Sequence, residues 1–77
     1  MKRYVTYDIK DGNSYDDLYA FFDENKATQI TKSTYLVSSN KNFDDFCAAI
    51  KKVTSSEDTV AVISSNKNDG TFHRIVR

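Results

Sequence analysis

SYDDLYA, residues 14–20, recurs in altered form as NFDDFCA, residues 42–48, which lies 28 positions further along the chain. Each copy begins with a polar residue, continues with two acids, and carries apolar residues at helical spacing, so each is predicted to open a helix. A β-branched and aromatic segment precedes each copy, at residues 3–9 and 33–38. Two successive β-α units joined in this way indicate a split β-α-β fold.

Local signals predict where the two helices begin and end. Ser14 and Asp17 have the spacing of a capping box for a first helix that ends near Glu24. Asn42 is predicted to cap a second helix that runs to Val53. The acid pair in each first turn complements the helix dipole, so we interpret these acids as stabilising the helices rather than as ligands of a metal cluster.

The remaining segments complete a sheet. Residues 27–31 are predicted to form a weak strand in a hairpin with 33–38, and residues 59–64 (TVAVIS) a strong strand. Residues 68–70 (NDG) are predicted to turn the chain into a short extra strand at 71–76. The predicted fold is therefore α+β and ferredoxin-like, βαββαβ, with an antiparallel sheet and both helices on one face.

Alternation in the first strand predicts the two faces of the sheet. Val5, Tyr7 and Ile9 should face the helices, as should Tyr35 and Val37. The opposite face has no helix to cover it, which makes it a candidate association surface and predicts a homodimer. The residues expected at the dimer interface are Tyr4, Thr6, Thr34, Leu36, Phe72 and Ile75.

Length and composition narrow the class of protein. The 77 residues are enough for a single domain, 1–77, and the lone cysteine, Cys47, excludes an intrachain disulfide framework. Eleven basic and eleven acidic residues balance, so any nucleic-acid binding must be local. We expect a cytoplasmic protein without a membrane partner, because the sequence shows neither an export signal nor a long apolar run.

Few residues offer chemistry, because the sequence lacks phosphate-loop, zinc-spacing and nucleophile-turn motifs. Asp8 ends the first strand, and two copies of it brought together by a two-fold axis would suit Mg²⁺. The alternative is that Asp8 accepts hydrogen bonds from the following turn. Tyr4 is the ring expected to be exposed for base stacking, with Arg3, Arg74 and Arg77 as basic neighbours.

Residues 4–9 (YVTYDI) and 31–37 (TKSTYLV) resemble the first and third strands of the CRISPR-associated adaptation subunits of the Cas-two type. Residues 14–18 (SYDDL) are similar to the first helix of the virulence-associated D-type toxins. Members of these families are ferredoxin-like dimers that act as metal-dependent endoribonucleases or as scaffolds in spacer integration. The resemblance implies that Asp8 is the metal-binding aspartate at the dimer cleft and Ser33 the strand-three serine. It also implies that the final strand pairs with the partner's sheet.

Members of these families commonly carry arginines in the first helix and in the turn before it, whereas this chain carries acids there. This chain would therefore make fewer contacts with nucleic-acid phosphates. Three interpretations remain open, and the simplest is a domain whose only property is self-association. The other two assign a function. One is a Cas-two-like dimer that binds RNA or DNA and cleaves it as a metal-dependent endonuclease, with Asp8 and Ser33 as catalytic residues. The other is a non-enzymatic dimer, an inhibitor or regulator in phage defence or a toxin–antitoxin system, whose acidic first helix meets a basic partner protein. The acids concerned are Asp11, Asp16, Asp17, Asp23 and Glu24.

Overall fold

The helices and strands follow one another along the chain in the order that the sequence predicts. A computed structural model describes the backbone of residues 2–66 and 70–76 and the side chains of residues 2–64 and 74–76. Within these residues, no helix is long and apolar enough to cross a membrane. The elements are β1 (Lys2–Asp8), α1 (Asp16–Glu24), β2 (Thr28–Thr31), β3 (Thr34–Ser38), α2 (Phe43–Lys52), β4 (Thr59–Asn66) and β5 (Gly70–Ile75).

The strands form one sheet in the order β2-β3-β1-β4-β5, and every neighbouring pair is antiparallel. Tyr4 at the centre of β1 pairs with Leu36 of β3 on one side and with Ile63 of β4 on the other. The architecture is α+β, with two helices and a five-stranded antiparallel sheet. It is consistent with a ferredoxin-like βαββαβ arrangement to which one strand has been added.

The hydrophobic core lies between the two helices and one face of the sheet. The predicted burial of Val5, Tyr7, Ile9 and Val37 is confirmed, and Tyr35 packs against the same core. Both helices contribute to this single cluster, so they cover the same face. The helix residues buried in it are Leu18 and Phe22 of α1 and Phe46, Cys47 and Ile50 of α2. Burial raises the pKa of the Cys47 thiol, which suits a packing role.

The prediction for the start of α2 is confirmed, and the prediction for the start of α1 is wrong. Asn42 Oδ1 accepts a hydrogen bond from the Asp45 N–H at 2.8 Å. Ser14 lies one residue too early to cap α1, since Tyr15 is the N-cap residue and makes no side-chain capping bond. Ser14 Oγ instead accepts from the Asp16 N–H at 3.0 Å. Gly12, in the turn before the helix, has φ 90°, a backbone conformation that glycine adopts without steric cost.

The added strand pairs within the chain. β5 lies antiparallel to β4, from Ala61 opposite Ile75 to Asn66 opposite Gly70. Two antiparallel strands so close in sequence close a short loop at low entropic cost. Pairing of the final strand with a partner subunit, which the resemblance implied, stays a prediction. The turn expected at residues 68–70 lies largely outside the described residues.

Candidate functional site

The sheet face opposite the helices, here called the open face, carries most of the residues predicted for a dimer interface. Tyr4, Leu36 and Ile63 lie side by side across three strands. One pleat further along, Thr34, Thr6, Ala61 and Ile75 form a second row, in which Thr34 Oγ1 donates to Thr6 Oγ1 at 3.2 Å. The Phe72 side chain lies outside the described residues.

Apolar side chains on the open face reach solvent. Tyr4 is 37% exposed, Ile63 39% and Ile75 76%. The alternation in β4 could have identified Ile63, which we did not select from the sequence. Three large apolar side chains therefore reach solvent on the sheet face that lies opposite the two helices.

Asp8 ends β1 on the open face and is exposed. It lines a shallow depression of about 150 Å³ together with Thr6, Tyr7, Thr59 and Ala61. In the part of the chain that the structure describes, no group donates a hydrogen bond to the Asp8 carboxylate and no cation pairs with it. The alternative prediction, that Asp8 accepts hydrogen bonds from the following turn, is therefore not what these residues show.

Ser33 lies at the same end of the sheet, on the neighbouring strand pair. Its carbonyl oxygen accepts a hydrogen bond from the Tyr7 N–H at 3.0 Å, one residue before Asp8. The Ser33 residue is exposed, and its own N–H donates to Thr31 Oγ1 at 3.2 Å. The backbone thus brings Asp8 and Ser33 to adjacent strand ends.

Asp58 performs the turn-stabilising role that the sequence had left open for Asp8. It is 4% exposed, and its Oδ1 accepts from the Lys10 N–H at 3.1 Å and from Asn13 Nδ2 at 3.0 Å. Its Oδ2 accepts from the Ser55 N–H at 2.8 Å. Burial alone would raise the pKa of Asp58, but these hydrogen bonds outweigh burial and hold the pKa below its usual value. Asp58 joins the loop after β1 to the loop after α2, and we did not identify it from the sequence.

Arg3 is not a basic neighbour of Tyr4, contrary to the sequence interpretation. It is 1% exposed and lies on the helix-facing side of β1, because Arg3 and Tyr4 alternate along the strand. Its Nη1 donates to Ser64 Oγ, and its Nη2 donates to the Lys41 carbonyl oxygen at 2.9 Å. The guanidinium also lies 5.4 Å and 5.8 Å from the ring centroids of Phe43 and Phe46. Arg3 therefore joins β1, β4 and the start of α2.

Arg74 is also directed away from Tyr4. Its Nη1 lies 2.6 Å from Asp44 Oδ1, and its guanidinium lies 5.1 Å from the Phe43 ring centroid, on the helix-facing side. The hydrogen bond that Arg74 donates to the Asp44 carboxylate raises the pKa of Arg74. Arg77 lies outside the described residues. The described residues thus do not form the basic patch around Tyr4 that we expected.

Asp8 does not belong to a cluster of metal-ligating side chains within the described part of one chain. Among the described residues, no three His, Cys, Asp or Glu side chains come close enough to hold a metal ion. Mg²⁺ commonly binds one or two protein carboxylates and fills its remaining positions with water. An exposed carboxylate without a protein partner fits such a site once a second copy supplies another.

Comparison with protein-family models, with curated proteins and with solved structures found no match to this chain. The structure thus shows an α+β domain in which an exposed carboxylate, that of Asp8, lies at the end of the central strand of the sheet.

Proposed function

We propose that this protein is a Cas-two-like homodimer that binds single-stranded RNA or DNA and cleaves it as a metal-dependent endonuclease. The observation that supports the proposal best is the exposed Asp8 carboxylate, which has no partner among the described residues and lies beside a half-apolar face. An exposed carboxylate that no described group bonds is available to a ligand.

In this proposal the open faces of two chains associate around a two-fold axis, and the two Asp8 carboxylates together hold Mg²⁺. The bound ion would supply an activated water and offset negative charge on the phosphate. The Ser33 hydroxyl would donate a hydrogen bond to the phosphate backbone and position it. The apolar side chains of Tyr4, Leu36 and Ile63 would be buried between the chains, which supplies the stabilisation that a small domain lacks alone.

Leu36→Lys is expected to convert the dimer to a monomer, because it places a charge at the centre of the proposed contact, beside Tyr4. Sedimentation velocity of the wild type and the variant at equal concentration measures the change. Ala20→Lys, which adds the same side chain on the exposed surface of α1, should leave the dimer intact. A wild-type monomer across the concentration range would contradict the dimer.

Incubation of the wild-type dimer with end-labelled single-stranded RNA, and in parallel with single-stranded DNA, tests the activity. We expect cleavage with Mg²⁺ or Mn²⁺ and none with EDTA, since in this proposal the bound metal ion supplies the activated water. Gel analysis of the products measures it. Cleavage that persists in EDTA, or no cleavage of either nucleic acid, would overturn the nuclease proposal.

A further inference from the structure

A group of aromatic rings lies between α1 and the sheet, on the side away from the open face. Tyr15 and Tyr19 stack on each other with ring centroids 5.4 Å apart and planes at 29°. Both contact Tyr7 edge-on, at 6.2 Å and 6.4 Å between centroids. Tyr7 is buried, and its hydroxyl donates to the Lys32 carbonyl oxygen at 3.2 Å. The outer pair therefore rests on a fixed base.

The outer rings remain accessible: Tyr15 is 39% exposed and Tyr19 40%. Because the Tyr15 and Tyr19 rings rest on buried Tyr7, they have few conformations to lose when a partner binds. Rings held in this way contribute efficiently to the affinity of an interface. Tyrosine is also among the residues that most often dominate binding energy.

Carboxylates flank this pair. Asp16 and Asp23 are exposed and lie three residues before and four residues after Tyr19, which places them on the same face of α1. Helix α1 contains no basic residue, and the nearest lysines in sequence, Lys10 and Lys26, lie outside it. We call Tyr15, Asp16, Tyr19 and Asp23 the α1 tyrosine surface.

We propose that the α1 tyrosine surface docks an arginine-bearing segment of a partner protein. A guanidinium stacks flat on a tyrosine ring and offers its remaining N–H groups to a carboxylate in a bidentate fork. An ammonium lacks both the plane and the fork, so arginine is favoured over lysine. The same carboxylates repel phosphates, which favours a basic protein segment over a nucleic acid as the occupant. This surface is separate from the open face and does not depend on the nuclease proposal.

Fluorescence anisotropy with a labelled hexa-arginine peptide tests this surface, with a hexalysine peptide and a uridine-rich RNA oligonucleotide as alternative probes. The arginine peptide should bind at least about fivefold more tightly than the lysine peptide of equal charge. Tyr15→Ala/Tyr19→Ala should weaken arginine binding about tenfold, whereas Tyr15→Phe/Tyr19→Phe, which keeps the ring faces, should retain it.

Charge is tested by a matched pair of variants. Asp16→Asn/Asp23→Asn should weaken binding of the arginine peptide about tenfold, and Asp17→Asn/Asp45→Asn, which removes two exposed helix carboxylates elsewhere, should change it less than about twofold. Circular dichroism confirms that each variant is folded.

Equal affinity for the two peptides, or wild-type affinity in the folded Asp16→Asn/Asp23→Asn variant, would overturn the proposal. RNA binding that is lost in the tyrosine variant would replace it with a base-stacking surface. Because the peptide assay needs neither metal nor cleavage, its outcome is distinguishable from that of the nuclease test.

Discussion

Asp8→Ala is expected to reduce metal-dependent cleavage of single-stranded RNA at least about a hundredfold, because a metal ion in a phosphoryl site supplies several kcal/mol of transition-state stabilisation. Asp8 is the carboxylate that would hold that ion, and each chain would lose its share of the site. The rate is measured under single-turnover conditions at saturating Mg²⁺, with the variant prepared in the same way as the wild type.

The loss should be confined to activity. Asp8 is exposed and unbonded among the described residues, so its removal should change the free energy of unfolding by less than about 0.5 kcal/mol. Asp45→Ala, which removes an exposed carboxylate from α2, serves as the control and should cleave at the wild-type rate. An Asp8→Ala protein that still forms a dimer and cleaves at full rate would refute the assignment of Asp8.

Asp58→Ala is expected to lower the free energy of unfolding by about 3 kcal/mol, since three donors that now bond to a buried carboxylate would lose their acceptor. A chain of this size has about 4–12 kcal/mol of folding free energy in total, so the variant should approach the limit of folding. Urea denaturation followed by circular dichroism measures the change. A loss under about 1 kcal/mol would show that solvent replaces Asp58 readily.

The contribution of Asp58 should also depend on pH. Its pKa in the folded chain is below its usual value of about 3.9, so its stabilisation is fully present above about pH 4 and is lost as the pH falls through the lowered folded value. Asp58→Asn keeps one acceptor oxygen and cannot titrate. The stability difference between wild type and Asp58→Asn should therefore narrow on acidification, and a constant difference between pH 7 and about pH 3 would contradict this account.

The alternation of apolar and polar residues in β1 predicted which face of the sheet packs against the helices and on which face Asp8 lies. The two-residue period of β1 correctly assigned Val5 and Tyr7 to the core and Asp8 to the opposite face. The same period places Arg3 on the face of Val5, and it places Tyr4 on the opposite face. The pattern therefore excluded a surface shared by Arg3 and Tyr4. Charged side chains are seldom fully buried, and Arg3, at 1% exposure, is an exception.

Residues that act across long sequence separations could not be predicted in this way. Asp58 bonds to Lys10 and Asn13, which lie 48 and 45 residues away, and no local pattern records that pairing. Tyr7, Tyr19 and Tyr35 likewise belong to three different elements and meet only through the packing of α1 on the sheet. Their spacing in the sequence indicates core positions and gives no sign that part of the group reaches solvent.

Strand β2 lies at one edge of the sheet, where a further chain could pair with it. Its four residues, Thr28–Thr31, are all exposed, and Ile30 is 52% exposed. An open strand edge is a template for fibril growth, and proteins usually protect it with lysine, proline or an inward charge. β2 has none of these, but its pairing with β3 shifts register between Gln29 and Thr31. We therefore expect the irregular backbone and the short length of β2, rather than charge repulsion, to limit ordered stacking of further chains on this edge.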